Sequence, residues 1–276
     1  METVGTPEGT QRLASLLDDQ IRGLISLELA VRESSNARVA KLYPLFAAII
    51  EDAISIRLVG SDSKTNQAYI LARALLERLI NFCFLQIATE QEYKHYLDYT
   101  MNKVGRRLDR SIQVNGETRA RIALNGGDFE LPTELAEAVA KFTSERGREK
   151  TRWTEVSVPE RAAVVDAKVG RTGLFMCLLT IYSDASEALH GTLYGAVFHL
   201  GAYDAGAVPQ DQQALLSHHC QTLSTLYLLS AGAIDDLLKF LDGLGEAYAR
   251  DAARQSRDRF KSAALDVGLA KPRKAI

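Results

Sequence analysis

The segment ALLERLINFCFLQIA, residues 74–88, constrains the fold of this chain more than any other. It is apolar at nearly every position, with no polar face. A helix of that kind cannot lie on a surface; other elements must enclose it. The rest of the chain offers such elements. Leu13, Leu16, Leu17, Ile21, Leu24 and Ile25 recur at three–four spacing, as do Leu42, Leu45, Phe46, Ile49, Ile50, Ile54 and Leu58. A third set, Leu215, Leu216, Leu223, Leu226, Leu229, Ile234, Leu237 and Leu238, continues the pattern near the end. With only six prolines and no sustained two-residue alternation, these stripes predict an all-α fold. The expected architecture is a single-domain bundle of about seven to nine helices.

Punctuation sets the boundaries. Residues 1–9 are expected to be disordered, 10–267 to form the bundle with its core at 35–240, and 268–276 to be a basic tail. GSDS at 60–63 ends one helix and starts the next. The spacing then predicts one long helix over 64–108 with an aromatic edge, Tyr93, Tyr96 and Tyr99. Residues 111–152 are the least regular part. NGE at 115–117 and NGGD at 125–128 are turn signals, with a short helix expected between them. SVPE at 157–160 reads as a capping box. Further helices are expected at 171–200, 209–241 and up to 265. The helices at 64–108 and 171–200 are expected at the centre.

Charge and cysteine usage narrow the function classes. Thirty-three basic residues against 35 acidic ones leave no argument from global charge for nucleic acid or a membrane surface. Cys83, Cys177 and Cys220 sit in apolar helical contexts, in an odd number and without paired spacing, which fits a reducing cytosol. No apolar run reaches the roughly 18 residues of a membrane span, and the first residues lack a leader pattern. The expected location is cytoplasmic.

Two polar constellations interrupt the apolar stripes. Arg73 and Glu77 lie four residues apart inside ARALLERLINF. Tyr182, Ser186 and His190 form a ladder with steps of four. At about 100° per residue the ladder drifts only about 40° per step, so its members share one face. Buried hydroxyl and imidazole groups need partners. As a site, Arg73 would clamp an anion, Glu77 and His190 would move protons, and Tyr182 and Ser186 would hold substrate. As structure, the pair would be an ion pair tying two helices, and His190 a satisfied core histidine.

Other residue sets point elsewhere. Glu187-x-x-His190 and Glu92-x-x-His95 match the spacing of carboxylate-bridged helical metal sites, with Glu51, Glu77 and Glu160 on other helices. Glu92 and His95 would lie about 22 Å along the helix from Glu77, so no metal or other cofactor is expected. His218 and His219 diverge by about 100° and cannot chelate together. Lys141, Arg146, Arg148, Lys150 and Arg152, and then Arg250, Arg254, Arg257, Arg259 and Lys261, are interleaved with acids and read as solvated faces. Beside the first set, the single Trp153 could stack on a base. Phosphate loops, paired cysteine motifs and nucleophile elbows are absent.

Arg73-x-x-x-Glu77, Trp153 ahead of a helix, and Tyr182-x-x-x-Ser186-x-x-x-His190-Gly191 together resemble an uncharacterised, all-helical, mainly bacterial family known only as a domain of unknown function. The resemblance spans roughly residues 35–240. It implies a helical fold and a polar site, and no activity. A looser likeness is to helical toxin modules acting on nucleotides and RNA through an Arg-x4–6-His motif; no arginine precedes His190 at that spacing.

The leading expectation is a bacterial intracellular effector or stress and defence protein. It would act, as a nuclease-like or other hydrolase, on a nucleic acid or nucleotide-like anion at a buried polar pocket. The alternative is a non-enzymatic helical scaffold that forms homo-oligomers or binds a protein partner. A third reading is a carboxylate-bridged metal protein.

Overall fold

The computed structural model describes residues 5–124 and 130–266. The second turn signal, the basic tail and residues 1–4 lie outside them. Among the described residues the chain is mostly helical, with one two-stranded sheet. The described residues form two compact units. Of the described residues, the larger one combines those up to Gln86 with those from Val158 on, and the smaller one takes those between Ile87 and Ser157.

The larger unit begins with α1 (Pro7–Arg32), capped by Thr6, whose side chain accepts the Gly9 N–H at 3.1 Å. Residues 7–9, expected outside the fold, therefore belong to it. Helix α2 (Ala37–Lys41) and α3 (Tyr43–Ser61) follow, with Pro44 in the first turn of α3, where its missing N–H costs nothing. Helix α4 (Thr65–Ile87) carries the all-apolar segment, and Leu75, Leu79, Ile80, Phe82, Cys83 and Leu85 are fully buried. Each such Leu, Ile or Phe removes apolar surface worth about 1.5–3 kcal/mol.

The unit resumes with α7 (Val158–Val169), α8 (Gly173–Cys177), a π-helical turn (Leu178–Tyr182), α9 (Ser183–Leu189) and α10 (Leu193–Phe198). It ends with α11 (Gln212–Gly243) and α12 (Ala249–Asp266). Helix α11 packs along α1 and α12 and buries Leu226, Ala231, Ile234, Leu237, Leu238 and Leu241 completely, so it shares the central position with α4.

The smaller unit contains α5 (Glu90–Leu108), an antiparallel hairpin of β1 (Asp109–Val114) and β2 (Glu117–Ala123), and α6 (Thr133–Lys141). Helix α6 lies against α5 at Gly105, and Phe142 is enclosed by His95 and Tyr99. The tyrosine edge anchors the following loop: Tyr99 donates to the Thr151 carbonyl at 2.7 Å, and Tyr96 meets Trp153 edge-on.

Four expectations are corrected. The described chain has twelve α-helical segments, not seven to nine, because both long helices are broken. The helix expected over 64–108 stops before Thr89, an N-cap that bonds reciprocally with Glu92 and starts α5 afresh. The helix expected between the two turn signals is strand β2. Asn115 and Gly116 both take positive φ, the geometry of a tight hairpin turn. Finally, residues 171–200 are a broken segment and not a central helix. Met176, Leu179, Leu189 and Leu193 on it are exposed.

Candidate functional site: an arginine-centred cluster

Helix α4 presents Arg73 and Glu77 on one face, and their Nε–Oε1 separation is 3.0 Å. The π-helical turn and α9 bring Tyr182 and Ser186 to the same point. Arg73 Nη1 donates to Ser186 Oγ at 2.5 Å, and Nη2 donates to the Tyr182 hydroxyl at 3.2 Å. The guanidinium carbon also sits 4.4 Å from the Tyr182 ring centroid, within cation–π range. Four of the five residues singled out from sequence therefore meet. The cluster is half-buried, with side-chain exposures of 19% for Arg73 and 35% for Glu77.

His190 stands apart. Helix α9 ends at Leu189, and His190 is its exposed C-cap. Gly191 follows at φ +67°, and the Thr192 N–H returns to the Glu187 carbonyl at 3.2 Å. That is a left-handed stop, which a side chain with a Cβ would resist. The ladder thus loses its third rung where the helix ends, and His190 takes part in none of the cluster's hydrogen bonds.

A residue not singled out from sequence joins the site. Arg161 on α7 is 7% exposed. Burial lowers its pKa, against the opposing pull of the Glu77 carboxylate and the Tyr182 phenol. Tyr182 is shifted upward, by burial first and then by the charge and hydrogen bond of Glu77, while Arg73 pulls the other way. Glu77 is thus the carboxylate that both guanidinium groups feel. Arg161 was legible in principle, since it shares a four-residue apolar spacing with Val165 and Val169, where a cation is out of place.

The cluster is rich in donors. Arg73 has five N–H groups, and three are committed. Ser186 Oγ accepts from Arg73 and keeps its own proton to give.

Other titratable groups are buried outside this cluster. Arg171 Nη1 bridges Asp235 and Asp236 of α11 at 2.5 and 2.9 Å, and Arg257 reaches Asp235 at 3.2 Å. His199, 4% exposed, packs edge-on against Tyr69, and burial with His218 and His219 nearby lowers its pKa to about 4. Cys83, Cys177 and Cys220 are free and buried. Among the described residues no three His, Cys, Asp or Glu side chains are grouped so that they could hold a metal ion. No helix among them is long and apolar enough to cross a membrane.

Fold and cluster together define a helical protein with a half-buried arginine-rich polar site. The profile of a family of unknown function, DUF5677, matches residues 40–207, and the chain belongs to that family. The matched region contains Arg73, Glu77, Arg161, Tyr182 and Ser186. No curated protein and no solved structure matches the chain.

Proposed function

We propose that the larger unit binds a nucleotide-like anion through Arg73 and Arg161, and that the chain is an intracellular effector or stress and defence protein acting on a nucleotide or nucleic acid. One observation carries this reading: two guanidinium groups on different helices share the field of Glu77 in a half-buried site. The uncommitted N–H groups of Arg73, the Ser186 hydroxyl and Arg161 are the donors a phosphate group takes up. Glu77, held between Arg73 and the Tyr182 phenol, is the proton acceptor of the cluster. His190 has no part in this reading.

The test is Glu77→Gln, which keeps shape and most hydrogen bonding while deleting the charge. If Glu77 moves a proton, turnover of single-stranded RNA or nucleoside triphosphate by the folded variant falls at least about 100-fold. If the variant retains full activity, the catalytic reading fails.

A second reading has its own observation. The three committed Arg73 donors pin α4 to the π-helical turn and α9 without any ligand. A non-enzymatic scaffold whose polar cluster fixes helix register would look the same, and its partner binding would survive Glu77→Gln.

A further inference from the structure

The smaller unit holds a cleft of about 580 Å³, lined from α5 by Glu92 and His95, by Lys141 and Phe142 at the end of α6, and by residues 149–155. Its volume is within the roughly 300–1,000 Å³ of small-molecule sites. One part of its lining is aromatic. His95 packs on Phe142 with ring centroids 4.8 Å apart, and Trp153 rests edge-on against Tyr96 at 5.1 Å. Burial, and Lys141 after it, lower the His95 pKa, so the imidazole contributes a neutral ring near pH 7.

The charges around this wall differ in how far they are already used. Lys141 is paired with Asp98 at 2.6 Å. Glu149 is held by Lys103 at 2.5 Å and Arg106 at 3.7 Å. Glu92 is spent on the α5 cap, accepting from the Thr89 N–H at 3.0 Å and its hydroxyl at 2.8 Å. Lys150 makes one long hydrogen bond, 3.5 Å to the Lys141 carbonyl, and Arg152 makes no ion pair or hydrogen bond among the described residues. Two exposed cations are therefore available beside an aromatic wall, with Glu155 as the remaining carboxylate of the lining.

We infer that this cleft binds a nucleotide unit, its base against the Trp153–His95 wall and its phosphate on Lys150 and Arg152. Stacking is indifferent to base identity because every base has a π-face, whereas the cations require the phosphate. The inference is independent of the Arg73 cluster. Its ligand is either a free nucleotide or one unit of a single strand, and the affinities of the two separate these sources.

Trp153 is the only tryptophan of the chain, so the intrinsic emission of the full-length protein reports on this wall. Uridine monophosphate, octauridylate and inorganic phosphate are titrated in turn. Saturable quenching by the first two is expected, with K150E and R152E each weakening it at least 10-fold and R250E without effect. Both site positions are exposed, so the variants keep the fold, which circular dichroism confirms. Octamer affinity at least 10-fold above that of the monophosphate identifies a single strand as the ligand, and its log–log salt slope should approach about −0.7 for the one phosphate that Lys150 and Arg152 neutralise. Equal affinities identify a free nucleotide. A second readout, anisotropy of a labelled octamer or nucleotide, should show binding lost in W153A. Absence of quenching by both ligands at millimolar concentration overturns the inference. So does phosphate acting as strongly as the monophosphate, or K150E and R152E binding like the parent protein.

Discussion

Arg73 Nη1 meets Ser186 Oγ at 2.5 Å across 113 positions of sequence, and this bond joins the apolar helix α4 to the broken segment after Arg171. Its consequences are separable by substitution. Arg73→Ala strands Glu77 in a half-buried site. For a fully buried pair the loss would be about 3–5 kcal/mol. With Glu77 35% exposed, about 1–2 kcal/mol is expected by urea denaturation. Ser186→Ala removes a neutral partner and should cost about 1 kcal/mol. In the double variant the two losses should fall short of additivity, because they share one interaction.

A close approach inside the larger unit gives a second prediction. A Cβ on Gly60 would collide with the Tyr227 hydroxyl, while Tyr227 itself is buried. Gly60→Ala should lower stability by about 1–3 kcal/mol, an overpacking cost. Adding Tyr227→Phe removes the colliding oxygen and should restore part of that loss; the ring carbons, 3.0 and 3.1 Å from the added methyl, keep it from being complete. Thermal unfolding of the single and double variants checks this.

How much of this was legible in sequence depends on the residue. The enclosed position of α4 followed from its all-round apolarity, and the convergence of Arg73, Glu77, Tyr182 and Ser186 followed from polar groups interrupting apolar stripes. The failures have local causes. Helical spacing continues through Thr89, and only the Thr89–Glu92 box marks the break. Asn115-Gly116 is a hairpin turn, but the flanking RSIQV and ETRARIA alternate over only a few residues, and their apolar Ile112, Val114 and Ile122 are exposed. His190 continues the four-residue ladder in number only, since Gly191 stops the helix before it. Arg161 shares the apolar spacing of Val165 and Val169 on α7, but a lone cation on a helix of 12 residues does not by itself mark a site.

Asp236 makes stability depend on pH in a defined direction. Burial raises its pKa from 3.8 to about 6, against the pull of Arg171. The folded state therefore binds a proton that the unfolded state has released, and stability from this group falls as pH rises from about 4 to about 6. Asp236→Asn removes that dependence. Relative to the variant, the parent protein should gain on the order of 2–3 kcal/mol between pH 7 and pH 4, read from paired denaturation curves. A difference that stays flat would show that the Asp236 pKa is not raised in the folded state, and one that runs the other way would show that it is lowered.

The most direct test of the central claim, that Arg73 and Arg161 together receive an anion, is calorimetric titration of pyrophosphate into the full-length protein and into Arg161→Met. Methionine replaces the buried cation with an apolar side chain of similar length, and circular dichroism with thermal unfolding establishes that the variant is a folded comparator before it is titrated. The account predicts saturable binding to the parent protein, weakened at least 10-fold in Arg161→Met and in Arg73→Lys, and unchanged in R250E. Pyrophosphate binding of equal affinity to the parent and to a folded Arg161→Met would contradict it.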